Sequence, residues 1–461
     1  MEEARKKPSR FPPLFWLVVV FEFVERGSYY GMMSILSVYL TEQLLFSKGQ
    51  VGVIKSTIQP LLYFLPIVAG ALADRFGYRR TLLVAFSLMG TGYFLTSQST
   101  SYAAVFLSLV VMGLGAGTFK PVISGTIARC TDESNSTLGF GIFYWSINLG
   151  AFLVPLFLVP YLKSHVGGHA VMLAAAIGTS SLILPTLFLY REPPRLAQAK
   201  TNQAGLLVTL MNAFEIIYSP FAMLYHKAFG TQARTPLPAE TASRYRDHLR
   251  FLLLIFIYAG FWVLYFQMFD SVLWYVRAYV DASSLNQAVN AGLSRLGISA
   301  SWKFDVEHVT VINAGTIILL QILVSSIVKR FRALPTMIVG IGLGTVGMAI
   351  LAISTGIWVF LLGIFIFSIG EMTAHPKFIS YVGQTAPRDK VALYMGYLFL
   401  YGVIGSSIGG ILGAKLYVLF VDEMKAPRTL WLIFSGIGLA TMLGLGLYNR
   451  FLPPKVAAEH G

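Results

Sequence analysis

EFVERGSYY, residues 22–30, puts two carboxylates and a guanidinium inside an apolar run, with LFWLVVVF before it and MMSILSVYL after it. A charge near the centre of a bilayer is costly unless it is paired or faces a water-filled cavity. Glu22 and Arg26 are four residues apart and share one helical face, with Glu25 beside them and Tyr29 and Tyr30 continuing that face. A membrane helix keeps such a cluster only where the charges line something.

The rest of the chain agrees with a membrane setting. Hydrophobic residues make up 56% of the 461 and charged residues only 12%, where soluble domains run nearer a quarter charged; mean hydropathy is +0.67. The net charge of +14 would suit a nucleic-acid partner, but the basic residues sit at the ends of apolar spans, as the positive-inside rule requires, so none is expected. The single cysteine, Cys130, excludes a disulfide framework and a cysteine-built metal site. No metal or cofactor is expected. MEEARKKPSRF at the start reads as a retained cytoplasmic tail.

At about 20 apolar residues per span, the chain divides into about twelve helices: 12–43, 49–74, 79–97, 101–129, 136–163 and 169–190, then 249–280, 307–329, 333–354, 357–385, 389–421 and 427–450. The expectation is an all-α membrane protein. Residues 1–190 form an N-terminal six-helix bundle, 191–248 a cytoplasmic linker and 249–461 a C-terminal six-helix bundle. With both termini inside, DRFGYRR, VKRFR, APRDK and NRFLPPK fall on the cytoplasmic face. TSQSTS, STG and the segment from Ala282 to Trp302 fall outside. Within the linker, the apolar stretch 204–229 is interrupted by Asn212, Glu215 and Pro220. It reads as an amphipathic surface helix, with a transmembrane hairpin as the competing reading.

Two six-span blocks around a cytoplasmic linker resemble the major facilitator superfamily. The turn after the second span, Gly70-Ala71-Leu72-Ala73-Asp74-Arg75-Phe76-Gly77 with Arg79 and Arg80 behind it, is similar to that superfamily's loop signature. The resemblance makes Gly70, Asp74, Arg75 and Gly77 a conformational loop motif. It implies a fold of two pseudo-symmetric bundles that open alternately to either side.

Within that superfamily, EFVER followed by SYYG resembles the E-x-x-E-R…YYG signature of the proton-coupled oligopeptide transporters. Gly115-Ala116-Gly117-Thr118-Phe119-Lys120-Pro121, the run Phe143 to Gly150, Phe261-Trp262 with Gln267, and Gly370-Glu371…Pro376…Ser380 with Ala386-Pro387 resemble further motifs of the family. The resemblance implies a substrate pocket of Arg26, Tyr29, Tyr30, Tyr63, Lys120, Asn148, Trp262 and Glu371, with Lys120 and Arg26 toward the substrate's carboxylate and Glu371 toward its amine. Taken alone, each residue has a plainer reading. The α-helix cluster Glu22, Glu25 and Arg26 would be a structural ion cluster, Lys120 would snorkel to the cytoplasm, and the aromatics would be ordinary helix packing.

The chain also departs from the family. Met32 and Met33 stand where a second arginine follows YYG, and Phe266 stands where an acid precedes the span-seven glutamine. Because those two family residues face each other, joint replacement by apolar groups avoids a stranded charge. An outer gate of Met33 and Phe266 is therefore expected. Proton coupling then falls to Glu22, Glu25, Glu371, Asp270 or His375. Asp270 reads either as a displaced coupling acid or as a span-end aspartate. His375, four residues after Glu371, reads either as a proton-handling group or as a partner that neutralises Glu371.

The expected function is proton-coupled symport of di- or tripeptides or peptide-like amino acid conjugates by a protein of the plasma or bacterial inner membrane, with a monomer as the default. Two alternatives stay open: a facilitator of another small organic ion with altered or absent proton coupling, and a transporter-like sensor. No nucleophile–base pair, H-E-x-x-H or phosphate loop appears, so no enzyme is expected.

Overall fold

A computed structural model describes residues 10–132, 135–192, 214, 216–219, 239–299, 301–386 and 391–452. Twelve helical rods stand close to the expected positions. The first half holds α1 (Pro13–Val38, extended by a π turn, Tyr39–Gln43), α2 (Lys48–Phe76), α3 (Tyr78–Gln98) and α4 (Tyr102–Arg129). It continues with α5 (Ser136–Leu153, through a π turn at Val154–Leu158 into Val159–His165) and α6 (His169–Ser181 with Ile183–Phe188). The second half holds α7 (Ala239–Phe266, a 3-10 turn at Gln267–Phe269, then Ser271–Tyr279), α8 (His308–Val328), α9 (Ala333–Ile350) and α10 (Ile357–Thr385). It ends with α11 (Val391–Tyr397 and Leu400–Tyr417, with a π turn at Val418–Glu423) and α12 (Pro427–Phe451).

Ten helices among the described residues are long and apolar enough to cross a membrane. The two rods outside that set are α1, whose centre carries Glu22, Glu25 and Arg26, and α3, which carries Arg79 and Arg80 at its start and ends in TSQ. Local chemistry explains several boundaries. Pro13 sits in the first turn of α1, where its missing N–H is no loss. Ser47 and Gln50 form a reciprocal capping box at the start of α2. Gly77 has φ +94°, and a Cβ there would lie 2.9 Å from Glu192 Oε1. Only glycine suits both the conformation and the space.

Within each half, small residues let backbones approach closely. A Cβ on Gly92 of α3 would meet Met112 N of α4 at 2.5 Å, and one on Gly340 of α9 would meet Ala374 N of α10 at 2.7 Å. The halves meet along α2 with α11, α5 with α8 and α1 with α7. At the α2–α11 seam a Cβ on Gly410 would meet Ser56 Oγ at 2.5 Å and Gly52 O at 3.0 Å.

Three features differ from the sequence expectation. Helix α7 begins at Ala239 rather than near 249, because the polar RYRDH turn remains helical ahead of the apolar stretch. The segment expected as an external loop contains a helix, Ser283–Arg295, with no buried residue. Asn286 and Asn290 side chains tie it to the backbone of Phe304 and Trp302. Helix α9 ends at Ile350, short of 354. Most of the linker, including most of the surface helix expected in 204–229, lies outside the described residues. Of that stretch, Ile216 to Ser219 are helical, Phe214 stacks on Phe64 of α2 at 6.1 Å, and Ser219 Oγ lies 2.7 Å from His248 Nδ1 of α7.

Candidate functional site

The expected charges of α1 come together as a group in which two carboxylates share one guanidinium. Arg26 donates through Nη2 to Glu25 Oε1 at 2.6 Å and through Nε to Glu25 Oε2, and Nε lies 3.6 Å from Glu22 Oε1. All three residues are at most 4% exposed, and the guanidinium sits 5.0 Å from the Tyr29 ring centroid. Lys120 of α4 does not join an ion pair: among the described residues no carboxylate lies within 4 Å of its Nζ, which instead stands 4.7 Å above the Tyr63 ring.

On the opposite half, Glu371 of α10 is 8% exposed. Its Oε2 accepts from Asn313 Nδ2 of α8 at 3.0 Å, and Asn313 also donates to Ser368 Oγ at 2.9 Å. Among the described residues no cation lies within 4 Å of this carboxylate. The site therefore presents an ammonium without a carboxylate partner on one half and a carboxylate without a cation partner on the other.

Between these poles stands an aromatic wall. Tyr63 of α2 reaches across to Phe266, Trp262 and Tyr401, with ring centroids at 5.8, 6.4 and 6.2 Å. Trp262 packs against Tyr401 at 4.4 Å and Tyr265 at 4.6 Å. Tyr30 contacts Phe269 at 6.1 Å and Tyr29 at 5.3 Å. His375 turns its ring toward Trp262 at 5.1 Å, and its Nδ1 lies 3.4 Å from Tyr258 Oη. No ion pair joins it to Glu371 among the described residues. Asn148 spends its amide on Tyr144 O, one turn back on α5, at 3.0 Å.

The face that the Lys/Arg pattern assigns to the outside, called the outer face below, is latched by ion pairs between the halves. Lys55 of α2 reaches Asp270 Oδ1 of α7 at 3.2 Å, with side chains 1% and 3% exposed. Lys55 Nζ also donates to Phe269 O at 3.2 Å. Ser37 of α1 donates to Phe269 O at 2.7 Å and to Asp270 Oδ1 at 3.0 Å. Nearer the surface, Lys48 pairs with Asp422 at 2.6 Å, Arg277 with Glu42 at 3.1 Å, and Lys163 with Asp305 at 2.8 Å and Glu307 at 2.7 Å. Among the described residues, the ion pairs that join the halves all lie on this side.

Met33 and Phe266, the expected gate pair, are both buried. Met33 Sδ lies 3.8 Å from Lys55 Nζ, whereas Phe266 packs in the aromatic wall. Lys55, Ser37, Asn313 and Tyr401 are absent from the sequence reading. Lys55 carried a usable signal, a lone lysine inside an apolar span; Asn313 and Ser37 carried almost none. In the loop motif, a Cβ on Gly70 would sit 3.7 Å from Pro121 Cβ of α4, so the residue sits where α2 approaches α4. Arg75 lies over Phe76 at 5.7 Å, and the Asp74 side chain is outside the described residues. Among the described residues, an acid that stands at the start of α3 is Glu192, which accepts from Tyr78 N at 3.1 Å and Arg79 N at 2.9 Å, where the helix dipole favours an anion.

Known proteins resemble this chain over nearly its full length. "Dipeptide and tripeptide permease B" of Aeromonas hydrophila subsp. hydrophila is 23% identical over 94% of this chain and 91% of its own. "Dipeptide and tripeptide permease A" of Salmonella typhimurium is 24% identical over 100% and 99%. Among solved structures, a POT family transporter in complex with a thioalcohol conjugated peptide superposes with a TM-score of 0.74 at 21% identity, covering 96% of each chain. A POT family transporter in complex with 5-aminolevulinic acid gives 0.72 at 21%, again covering 96% of each. The Major Facilitator Superfamily model matches residues 18–302 and 275–460, and the chain is an integral multi-pass membrane protein that belongs to that superfamily.

Proposed function

We propose that this protein is a secondary active transporter that carries di- or tripeptides, or peptide-like amino acid conjugates, together with protons by alternating access. The observation that carries the reading is a pair of poles that have no ion-pair partner within 4 Å among the described residues, Lys120 on one half and Glu371 on the other, with aromatic side chains around them. A zwitterionic peptide bound there supplies a carboxylate to Lys120 and an amine to Glu371. Its body lies along Tyr29, Tyr30, Tyr63 and Trp262. Arg26 is already engaged by Glu25 and Glu22, so it orients the carboxylates of α1 and adds field more than direct contact.

The names of the permease relatives support this reading, as do the peptide and 5-aminolevulinic acid bound to the structural neighbours. The latter ligand keeps a second reading in view: a small peptide-like ω-amino acid offers the same two opposite charges. Both termini are assigned to the cytoplasm and the working unit to a monomer.

The test is uptake of labelled dialanine into proteoliposomes with and without an inward proton gradient, beside Glu371→Gln. Gradient-driven uptake that falls at least tenfold in the variant is the expected outcome. A facilitator of another ion would leave dialanine untransported while 5-aminolevulinate or a related ion still exchanges. Absence of counterflow for every zwitterion tried, by folded protein, would instead favour a sensor.

A further inference from the structure

A cavity lies outside the site described above, where α1, α5 and α6 meet. It encloses about 170 Å³, and Phe23, Gly27 and Gly31 of α1, Val154 and Leu158 of α5 and Ala174 of α6 are among its lining residues. An apolar cavity of about 150 Å³ stays dry and accepts a hydrocarbon guest. The space forms where α5 leaves the α form at Val154–Leu158, a π turn that includes Pro155, since bonding from i to i+5 shifts the side chains relative to an α-helix.

The neighbouring helices hold this space open. A Cβ on Gly27 would meet Val154 Cγ2 at 2.7 Å, one on Gly31 would meet Val154 Cγ1 at 2.9 Å, and one on Gly178 would meet Ser28 Oγ at 3.0 Å. Helix α1 thus already touches α5 on one side and α6 on the other, and neither can move inward to close the gap. Water is a poor occupant. Ser28 carries the one polar side chain of the described lining, and its hydroxyl donates to Val24 O at 2.8 Å, whereas a buried water needs about two to four polar partners. Left empty, the space forfeits the contacts of its lining.

The cavity is continuous with the surface that the bilayer covers. Leu158 lines it and is 42% exposed, and the exposed Phe157 and Ile177 stand beside lining residues on α5 and α6. The lining runs from the middle of α1 to Leu162 of α5 and Val171 of α6, which lie near the outer ends of those helices. It therefore adjoins the outer leaflet. Tyr161, exposed next to Leu162, is an aromatic of the kind enriched at the membrane–water boundary.

We propose that this cleft is a binding site for one acyl chain of an outer-leaflet phospholipid. The rim belongs to the surface that meets the bilayer, the lining is hydrocarbon, and the volume takes part of a chain rather than a whole lipid. Phe23, Gly27 and Gly31 occupy the face of α1 next to the one that carries Glu22, Arg26 and Tyr30. The bound chain therefore packs against the helix on which the charge cluster is built. Its presence is independent of what the protein carries.

The test is photolabelling in phosphatidylcholine nanodiscs that carry a trace of phosphatidylcholine with a mid-chain diazirine, followed by peptide mapping. Adducts on the lining residues should exceed severalfold those on Leu319 and Ile322 of α8, which are 79% and 84% exposed and report passing lipid. Ala174→Phe and the smaller Ala174→Leu fill the space. Each should remove the excess, leave the labelling of α8 unchanged, and keep the unfolding temperature in detergent at or above the wild-type value. Leu184→Phe, exposed on the same helix but outside the lining, should leave the excess in place. Labelling of the cleft no denser than that of α8, or an excess that survives both substitutions at Ala174, overturns the proposal. A fall in unfolding temperature in both variants overturns it too, since the space would then already be filled by protein. So does a cleft protected from lipid in a complex of twice the monomer mass, which would make the occupant a second copy of the chain.

Discussion

The ion cluster of α1 and the Lys55–Asp270 pair are built from the same chemistry at similar burial, yet they constrain different things. Glu22, Glu25 and Arg26 lie on one helix, so the cluster travels intact whichever way the halves rock. Lys55 and Asp270 lie on different halves, so their pairing exists only while the outer face is closed. Burial makes either one costly to disrupt. The frame to which the partners are attached decides whether that cost falls on stability or on conformational equilibrium.

The sharpest way to break the comparison is Glu25→Gln. It removes the carboxylate that Arg26 binds twice and leaves only Glu22 at 3.6 Å. Loss of a buried partner costs about 3–5 kcal/mol, so a clear fall in the thermal unfolding temperature is expected, with the distance between spin labels on the outer loops, at Thr100→Cys and Thr355→Cys in a Cys130→Ser background, unchanged. A shift in that distance would mean that the cluster is not confined to one frame.

A smaller effect should separate two glycines in the same way. Gly410→Leu forces a side chain against Ser56 and the Gly52 backbone across the α2–α11 seam, whereas Gly340→Leu does so within one half, against Ala374. Overpacking costs about 1–3 kcal/mol in each. In Gly410→Leu it should be relieved by opening the outer face, seen as the longer distance at every pH. In Gly340→Leu it should appear as lost stability. Equal loss of stability in both would blunt the distinction.

The smallest effect concerns the surface clasp. Partial burial raises the Asp305 carboxyl, but Lys163 at 2.8 Å, the Val306 N–H and Arg277 together outweigh it, and the net direction is below the ordinary 3.8. A lowered folded value means that the contribution is present above the unfolded value and is lost as pH falls through the folded one. That window lies below about pH 4, too acidic for coupling. Asp305→Asn should therefore weaken the clasp by under about 1 kcal/mol, read as a small fall in the thermal unfolding temperature at neutral pH that disappears below about pH 4.

Much of this was legible from residue order. Span boundaries such as 357–385 coincide with the observed helix, because a bilayer imposes a local rule of length and polarity on each segment. The charges of α1 announced themselves for the same reason. The helix Ser283–Arg295 was missed because it buries nothing and its asparagines work only against the backbone of Trp302 and Phe304. The expected pairing of Met33 with Phe266 followed from what the two positions had lost. The structure gives Met33 the company of Lys55, a residue the same reasoning had passed over.

By itself, then, the order of residues determined the membrane class, the approximate places of the membrane-spanning rods, and the charges of α1 that had to be accounted for, since each of these follows from the cost of placing a local segment in hydrocarbon. Only the tertiary structure decided which charges were compensated. Lys55 and Phe269 are 214 residues apart, and no local rule relates them. Packing one half against the other brought Lys55 to Asp270 and, among the described residues, left Lys120 and Glu371 without ion-pair partners, and so distinguished the charges that pair across the halves from those that do not.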